Sequence, residues 1–245
     1  GEAAVGRCVL IIPAYNEEPR LEAVLRAAAQ AGLGCEIAVI DDGSQDATAE
    51  IARRLGATVL RHPFNLGYGA ALQTGYKYAL ERGADLLVQM DADGQHDPAQ
   101  LAGLVLPVQQ GELALVVGSR FLEPSGYQME RLRSLGRALF SFIARLAGLR
   151  VSDPTSGFQA MNRRVLEVYS RDFFPTDYPD VDVLLAAYRH GLRVGERAVV
   201  MTKARRQSTL HGGLRSFYYV YKMLLSIWST STRTRPTPHS EEARK

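Results

Sequence analysis

The chain of 245 residues has few features that would place it outside an ordinary globular fold. It carries only two cysteines and one tryptophan, and its formal net charge is +3. Two cysteines without metal-ligand spacing exclude a zinc framework and a disulfide-dense scaffold. Cys8 and Cys35 read instead as small buried residues of a reducing compartment. No run approaches the roughly 20 apolar residues that a bilayer span needs, and Gly1 to Arg7 lacks the apolar centre of a signal peptide. The expectation is a protein that is cytoplasmic, or peripheral at the cytoplasmic face of a membrane. So small a net charge gives no reason to expect a nucleic-acid partner. A hydrophobic content of 46% against 22% charged residues argues against wholesale disorder. There is no internal repeat and no linker. One domain is expected over residues 1–229, followed by a loose Pro-, Thr- and charge-rich tail over 230–245.

What is present is an alternation of strands and helices. Val9 to Ile12, Glu36 to Ile40, Thr58 to Arg61, the run from Asp85 to Met90 and Leu113 to Val117 read as strands. Gln159 to Met161 and Arg193 to Met201 read as later ones. Glu22 to Ala31, Thr48 to Leu55 with Asp46 as its cap, and Ala70 to Arg82 read as helices. So do Arg131 to Ala147, Asn162 to Tyr169, Asp180 to Gly191 and Leu214 to Trp228. Strands and helices at this spacing predict an α/β fold with a mostly parallel, Rossmann-like sheet flanked by helices. Three strands end in acid: Tyr15-Asn16-Glu17 after the first, Asp41-Asp42 after the second and Asp91-Ala92-Asp93 after the fourth. In such sheets ligands collect at the carboxyl ends of the strands, so the three ends share one crevice.

Leu86, Leu87, Val88 and Met90 form a short, nearly continuous apolar run, as in a strand covered on both faces. It stops at two carboxylates one residue apart. Asp91 and Asp93, with Gln95 and His96 close behind, suit Mg²⁺ or Mn²⁺ that keeps positions open for diphosphate oxygens. A plain turn is the competing reading, since Asp and Gly are turn formers. A calcium loop is excluded because His96, Pro98 and Ala99 stand where further oxygen ligands belong. Invoking a turn three times explains less than one nucleotide and one cation.

Basic residues supply the other half of the pattern. Gly118-Ser119-Arg120 closes a strand with a guanidinium suited to a bidentate phosphate contact, although a surface ion pair is the commoner role of a lone arginine. From Arg131 to Ala147 a stripe of Leu132, Leu135, Leu139, Phe142 and Leu146 is flanked by Arg131, Arg133, Arg137 and Arg145. This is a basic amphipathic helix, fit for solvent, anionic headgroups or a phosphorylated acceptor. The last helix, Leu214 to Trp228, is too apolar to stand in water and too short to cross a membrane. It suits packing on the domain, the membrane interface, a second copy of the chain or a partner membrane protein.

The ordered motifs Ile12-Pro13-Ala14-Tyr15-Asn16-Glu17, Asp41-Asp42-Gly43-Ser44, Asn65-Leu66-Gly67-Tyr68-Gly69, Asp91-Ala92-Asp93-Gly94-Gln95-His96, Gly118-Ser119-Arg120 and Ser156-Gly157-Phe158 resemble family 2 glycosyltransferases of the GT-A fold. The branch most similar is that of dolichol-phosphate mannose synthases and bacterial polyprenyl-phosphate hexosyltransferases. The resemblance runs from Cys8 to about Trp228. It implies that Pro13, Tyr15, Glu17 and Asp42 contact the nucleoside, and that Asp91, Asp93 and Gln95 hold the metal and diphosphate. It further implies that Arg120 and Arg133 bind an acceptor phosphate, and that Arg205 and Ser208 lie on a loop closing over the donor. The chain departs from the pattern at Arg137, where the branch often has Ser or Asn. It departs also at Arg206 and Thr209, and at Asp180 and Asp182, which stand near a usual Glu.

Such a site displaces a nucleoside diphosphate at the anomeric carbon of a nucleotide-sugar, with inversion. Asp93 is counted with the catalytic groups as well as the metal ligands. A hydroxyl acceptor requires a carboxylate base, for which Asp153 and Asp182 are the candidates. A phosphate monoester, with a second pKa of about 6, is already anionic and needs none. Convergence of Arg120, Arg133 and Arg137 near the metal favours the phosphate; an acidic acceptor cleft favours a sugar hydroxyl. A nucleotide-sugar sensor without turnover is the rival of another class, and it has no need to keep Asp91, Asp93 and Gln95. A nucleotidyltransferase would open with a Gly-rich basic loop, which Tyr15-Asn16-Glu17 is not.

Overall fold

The computed structural model describes residues 6–122, 131–176 and 179–201, with the backbone alone at 131–137 and 139. Its centre is β1 (Cys8–Ala14), buried along its whole length. Side chains alternate across a strand. Val9 and Ile11 therefore enter one core and Leu10 and Ile12 the other, and a strand apolar at every position needs helices on both faces. β2 (Glu36–Asp41), β3 (Thr58–Arg61) and β4 (Leu86–Gln89) run parallel to it. β5 (Leu115–Ser119), β6 (Gln159–Asn162) and β7 (Val194–Ala198) complete a seven-stranded sheet of order β3-β2-β1-β4-β6-β5-β7.

On one face α1 (Glu18–Gln30), α2 (Thr48–Arg54) and α4 (Leu101–Gln109) bring Leu21, Leu25, Ile51 and Leu104 against Leu10, Ile12, Val39 and Val88. On the other, α3 (Tyr68–Glu81), α5 (Arg131–Leu146), α6 (Arg163–Tyr169) and α7 (Val181–Arg189) bring Leu72, Tyr76, Phe140, Leu166 and Leu184 against Val9, Ile11, Ile40 and Leu87. The expected α/β sandwich is therefore observed. Sequence periodicity assigns no element to α4, whose nine residues are apolar nearly all round and include Pro107.

The strand β6 decides where the site forms. It lies antiparallel between β4 and β5, with Gln159 opposite both Gln89 and Val117. Its beginning thus reaches the rim where β4 and β5 end, and the loop Asp153 to Phe158 is delivered beside Asp91. Nothing in the alternation of strands and helices announces this reversal.

One expectation is corrected here, and one helix is found to pack by an unexpected face. Cys8 and Cys35 are joined by a disulfide, with Cα atoms 4.5 Å apart. The register pairs Val9 with Glu36, so the preceding residues of two neighbouring strands stand side by side. Sequence spacing cannot show that adjacency, because it depends on which strands are neighbours. The stripe expected on α5 also turns out to face away from the sheet where it is described. Phe142 is 59% exposed and Leu146 73%, whereas Phe140 and Ala144 are buried. At its described positions the helix packs through Phe140 and Ala144. The last helix, the tail, Arg205 and Ser208 lie outside the described residues.

Candidate active site

The rim begins where β1 and β2 end. Asn16, in the left-handed region at φ 54°, donates its amide to Ser44 Oγ at 2.9 Å and accepts from the Gln45 amide through Oδ1 at 2.8 Å. The Glu17 amide donates to Thr48 Oγ1 at 2.9 Å, and the Glu17 carboxylate pairs with Arg20. These bonds zip the two loops together with Pro13 buried beneath them and Tyr15 exposed on the surface. Asp41 is wholly buried, with the Ser44 amide on Oδ1 and Arg61 Nε 3.0 Å from Oδ2.

Asp42 has a different task from its neighbour. Its carboxylate is buried and accepts the amides of Leu66 and Gly67 at 2.8 and 2.9 Å. His62 Nδ1 lies 2.7 Å from the same carboxylate, and His62 Nε2 lies 2.9 Å from Thr74 Oγ1. Both oxygens are therefore engaged in holding the glycine loop at the start of α3. Gly43 is required for the same approach: at φ +74°, it would place a Cβ 2.5 to 2.8 Å from the backbone of Phe64 and Asn65.

The glycine loop presents Tyr68 to the metal motif. Tyr68 Oη donates to Asp91 Oδ1 at 2.8 Å. The Asp91 amide donates to His96 Nδ1 at 3.0 Å, which leaves the His96 proton on Nε2, 3.7 Å from Asp91 Oδ2. The His96 ring stacks on Phe158 with centroids 4.7 Å apart. Although 30% of its side chain reaches solvent, the Asp91 carboxylate sits in a recess beneath Tyr68 and Gly157. Burial raises its pKa, and the charge of Asp93 adds to the rise. The His96 ring, the Tyr68 hydrogen bond and the Arg120 charge oppose it. Burial and the Asp91 charge keep the Tyr68 phenol protonated by raising its pKa well above the usual value. Asp93 accepts the Gln95 amide at 2.9 Å and also the Gln95 side-chain amide.

Arg120, the first residue after β5, is gripped by Asp153. Nε reaches Oδ2 and Nη2 reaches Oδ1, each at 2.7 Å, and the Arg120 amide adds a bond of 3.2 Å. Asp153 is wholly buried. Its backbone and that of Ser152 are held in turn by Glu196. Asp182 is buried at the start of α7, where its Oδ1 accepts the amides of Asp180 and Val183 at 3.0 and 2.9 Å.

The structure thus gathers Tyr15, Glu17, Asp91, Asp93, Gln95, Arg120 and Asp153 around one rim. Asp42 stands behind it as an anchor and Asp182 is occupied with a helix start. Arg133 and Arg137 lie on the first turns of α5, with only their backbone described. Sequence reasoning passed over Tyr68, His62 and Glu196. Tyr68 stood inside a recognised glycine loop, whereas Glu196, next to Arg197 in a short half-buried strand, reads as an ordinary surface charge. Their partners lie 23, 20 and 44 residues away and carry no local signal.

Among the described residues no group of three or more His, Cys, Asp or Glu is arranged to hold a metal ion. Two carboxylates at a strand end are nevertheless a donor set that fits a hard divalent cation whose other ligands are phosphate oxygens and water.

Residues 9–170 match the family described as glycosyl transferase family 2. The UDP-N-acetylglucosamine–dolichyl-phosphate N-acetylglucosaminyltransferase of Methanococcus voltae is 33% identical over 209 residues, covering 76% of this chain and 82% of that one. The polyprenol monophosphomannose synthase of Mycolicibacterium smegmatis is 32% identical over 211 residues, covering 80% and 78%. Among solved structures, glucosyl-3-phosphoglycerate synthase from Mycobacterium tuberculosis, in complex with Mn²⁺ and uridine-diphosphate-glucose, aligns with a TM-score of 0.72. That alignment covers 92% of this chain and 80% of that one at 23% identity, a likeness of fold. An ordered rim of acidic strand ends on this sheet, matched across most of its length, shows that the chain belongs to glycosyl transferase family 2 and is a glycosyltransferase.

Proposed function

We propose that this glycosyltransferase moves a hexose from a nucleoside-diphosphate sugar to a polyprenyl phosphate at a membrane surface. The observation that carries the reading is that one loop, Asp153 to Phe158, sets Asp153 against Arg120 and Gly157 against Asp91, so that the arginine and the acidic strand end share one rim. A cation at Asp91 and Asp93, with Gln95 beside them, would neutralise charge developing on the departing diphosphate. Tyr15 and Glu17 border the nucleoside end, with Pro13 beneath them. Arg120 belongs to the acceptor end, together with Arg133 and Arg137 on α5; Arg205 and Ser208, which the resemblance assigns to the donor, lie outside the described residues. The acceptor oxygen bonds to the anomeric carbon as the bond to the diphosphate breaks. A phosphate oxygen needs no base for this, in keeping with both oxygens of Asp153 being occupied by Arg120.

The relatives from Methanococcus voltae and Mycolicibacterium smegmatis are named for dolichyl phosphate and polyprenol acceptors, which supports the same reading. The outward Phe142 and Leu146, beside Arg145, suit the headgroup region of a bilayer. No helix among the described residues is long and apolar enough to cross one.

The test pairs UDP-glucose, UDP-N-acetylglucosamine or GDP-mannose with farnesyl or undecaprenyl phosphate, in Mn²⁺ or Mg²⁺, and analyses products by mass spectrometry. The expected product is a glycosyl phosphoprenol whose formation EDTA abolishes. Transfer confined to 3-phosphoglycerate or to a sugar hydroxyl would overturn the reading.

A further inference from the structure

Glu196 lies in the middle of β7, opposite Val117 in the register, and none of the site assignments uses it. Its Oε2 accepts the Ser152 amide at 2.8 Å. Its Oε1 accepts the Asp153 amide at 2.9 Å and the Ser152 hydroxyl at 3.1 Å. All three bonds go to one dipeptide on a different segment. The same dipeptide is braced by Ser119 Oγ, 2.8 Å from Ser152 Oγ, and by Ser141 Oγ, which donates to the Ser152 carbonyl at 3.1 Å. Two residues of sheet rim and one of α5 therefore converge on Ser152, and Glu196 supplies the charge-assisted share.

The consequence passes through Asp153. Its carboxylate takes Arg120 in a two-point fork and fixes both the plane and the position of the guanidinium. A planar fork tolerates little error, and a guanidinium shifted out of its plane presents its remaining donors poorly to an acceptor phosphate, which weakens acceptor binding. A surface loop would not hold Asp153 so closely. A carboxylate rooted in the sheet does.

Resting on the reading of Arg120 as the acceptor-phosphate residue, we infer that Glu196 is a positioning residue for the acceptor. It acts by locking the Ser152–Asp153 backbone, so that Asp153 serves as the clamp of Arg120 and not as a base. Glu196→Gln tests this. The variant keeps the size of the side chain but turns one acceptor atom into a donor that faces an N–H. The loss of a charge-assisted bond predicts a rise of about tenfold in KM for farnesyl phosphate. The donor KM and the half-saturating Mn²⁺ concentration stay within about twofold. Ser152→Ala, which keeps both amides and removes the hydroxyl's contacts with Glu196 and Ser119, raises the same KM by about threefold.

A fall in kcat with every KM unchanged, or a joint rise in donor and acceptor KM, would show a merely structural role and overturn the inference. Should Glu196→Gln not fold, Ser152→Ala decides alone, and an unchanged acceptor KM refutes the claim. A wild-type protein inert toward every prenyl phosphate sinks the functional reading itself, and the acceptor role of Glu196 with it. That outcome is distinct from an active wild type with an unaffected variant.

Discussion

Gly157 stands where the loop Asp153 to Phe158 presses on Asp91, and replacing it with alanine is expected to separate function from stability. Its Cβ would lie 2.7 Å from Tyr68 Oη and 3.0 and 3.2 Å from the two oxygens of Asp91. The Tyr68 hydroxyl is the far end of a rotatable, partly exposed side chain, so it swings away and the loop stays in place. The fold then loses little more than one hydrogen bond, about 1 kcal/mol, or roughly 2–4 °C in Tm for a domain of this size. Asp91 loses more. Its orienting donor is gone, and a methyl group crowds oxygens that a cation must approach to within about 2.0–2.6 Å. The crowding and the lost orienting bond together are expected to raise the half-saturating cation concentration by about tenfold, equivalent to about 1.4 kcal/mol of cation binding. Gly69→Ala is the contrasting variant. Its Cβ would collide with the Pro175 carbonyl and lie 2.8 Å from the Thr176 carbonyl, backbone atoms tied down by the bond from the Ala70 amide to Thr176. Overpacking plus that bond predicts a loss of about 2–4 kcal/mol with the cation requirement unchanged in the folded protein. Mn²⁺ titration of turnover, with thermal melting alongside, reads both. A Gly157→Ala variant with an unchanged cation requirement, or one that melts as low as Gly69→Ala, would refute the reasoning.

Three further outcomes follow from the same geometry. Burial raises the pKa of Asp91 above its ordinary 3.8. Between that value and the raised one the folded protein holds a proton that the unfolded chain lacks, so stability falls as pH rises through this window. Asp91→Asn is therefore expected to raise Tm at neutral pH and flatten its dependence on pH while abolishing turnover; a lower Tm would contradict the burial penalty. Asp42→Asn turns an acceptor into a donor facing the Leu66 or Gly67 amide or His62. Chemical denaturation should record a loss of about 2–4 kcal/mol, and unchanged stability would show that the glycine loop holds itself. Reduction of Cys8–Cys35, which spans 27 residues, should lower stability by up to about 3.5 kcal/mol. Turnover at room temperature should be unaffected, since the link lies at the beginnings of β1 and β2, away from the rim. An unchanged melting curve under dithiothreitol would deny the link.

The sequence by itself determined the strands, the sandwich and the place of the Asp91–Asp93 pair at a strand end. An apolar run such as Leu86 to Val88 needs cover on both faces, and the residues that end it must lie at a strand's carboxyl edge. Local chemistry was enough for that, and enough for the ordered motifs that mark the family. Only the tertiary structure decided who faces whom. The antiparallel insertion of β6 carried Gly157 to Asp91 and Asp153 to Arg120. The register of β1 with β2 joined two cysteines that had read as separate, reduced residues. Packing of α5 through Phe140 and Ala144 turned the predicted stripe outward at Phe142 and Leu146. Asp42 and Asp153 looked in sequence like carboxylates free to meet a ligand, and the fold occupies both. A carboxylate's type is written in the chain, but the groups that occupy Asp42 and Asp153 come from segments 20 or more residues away, brought near by the order of strands in the sheet.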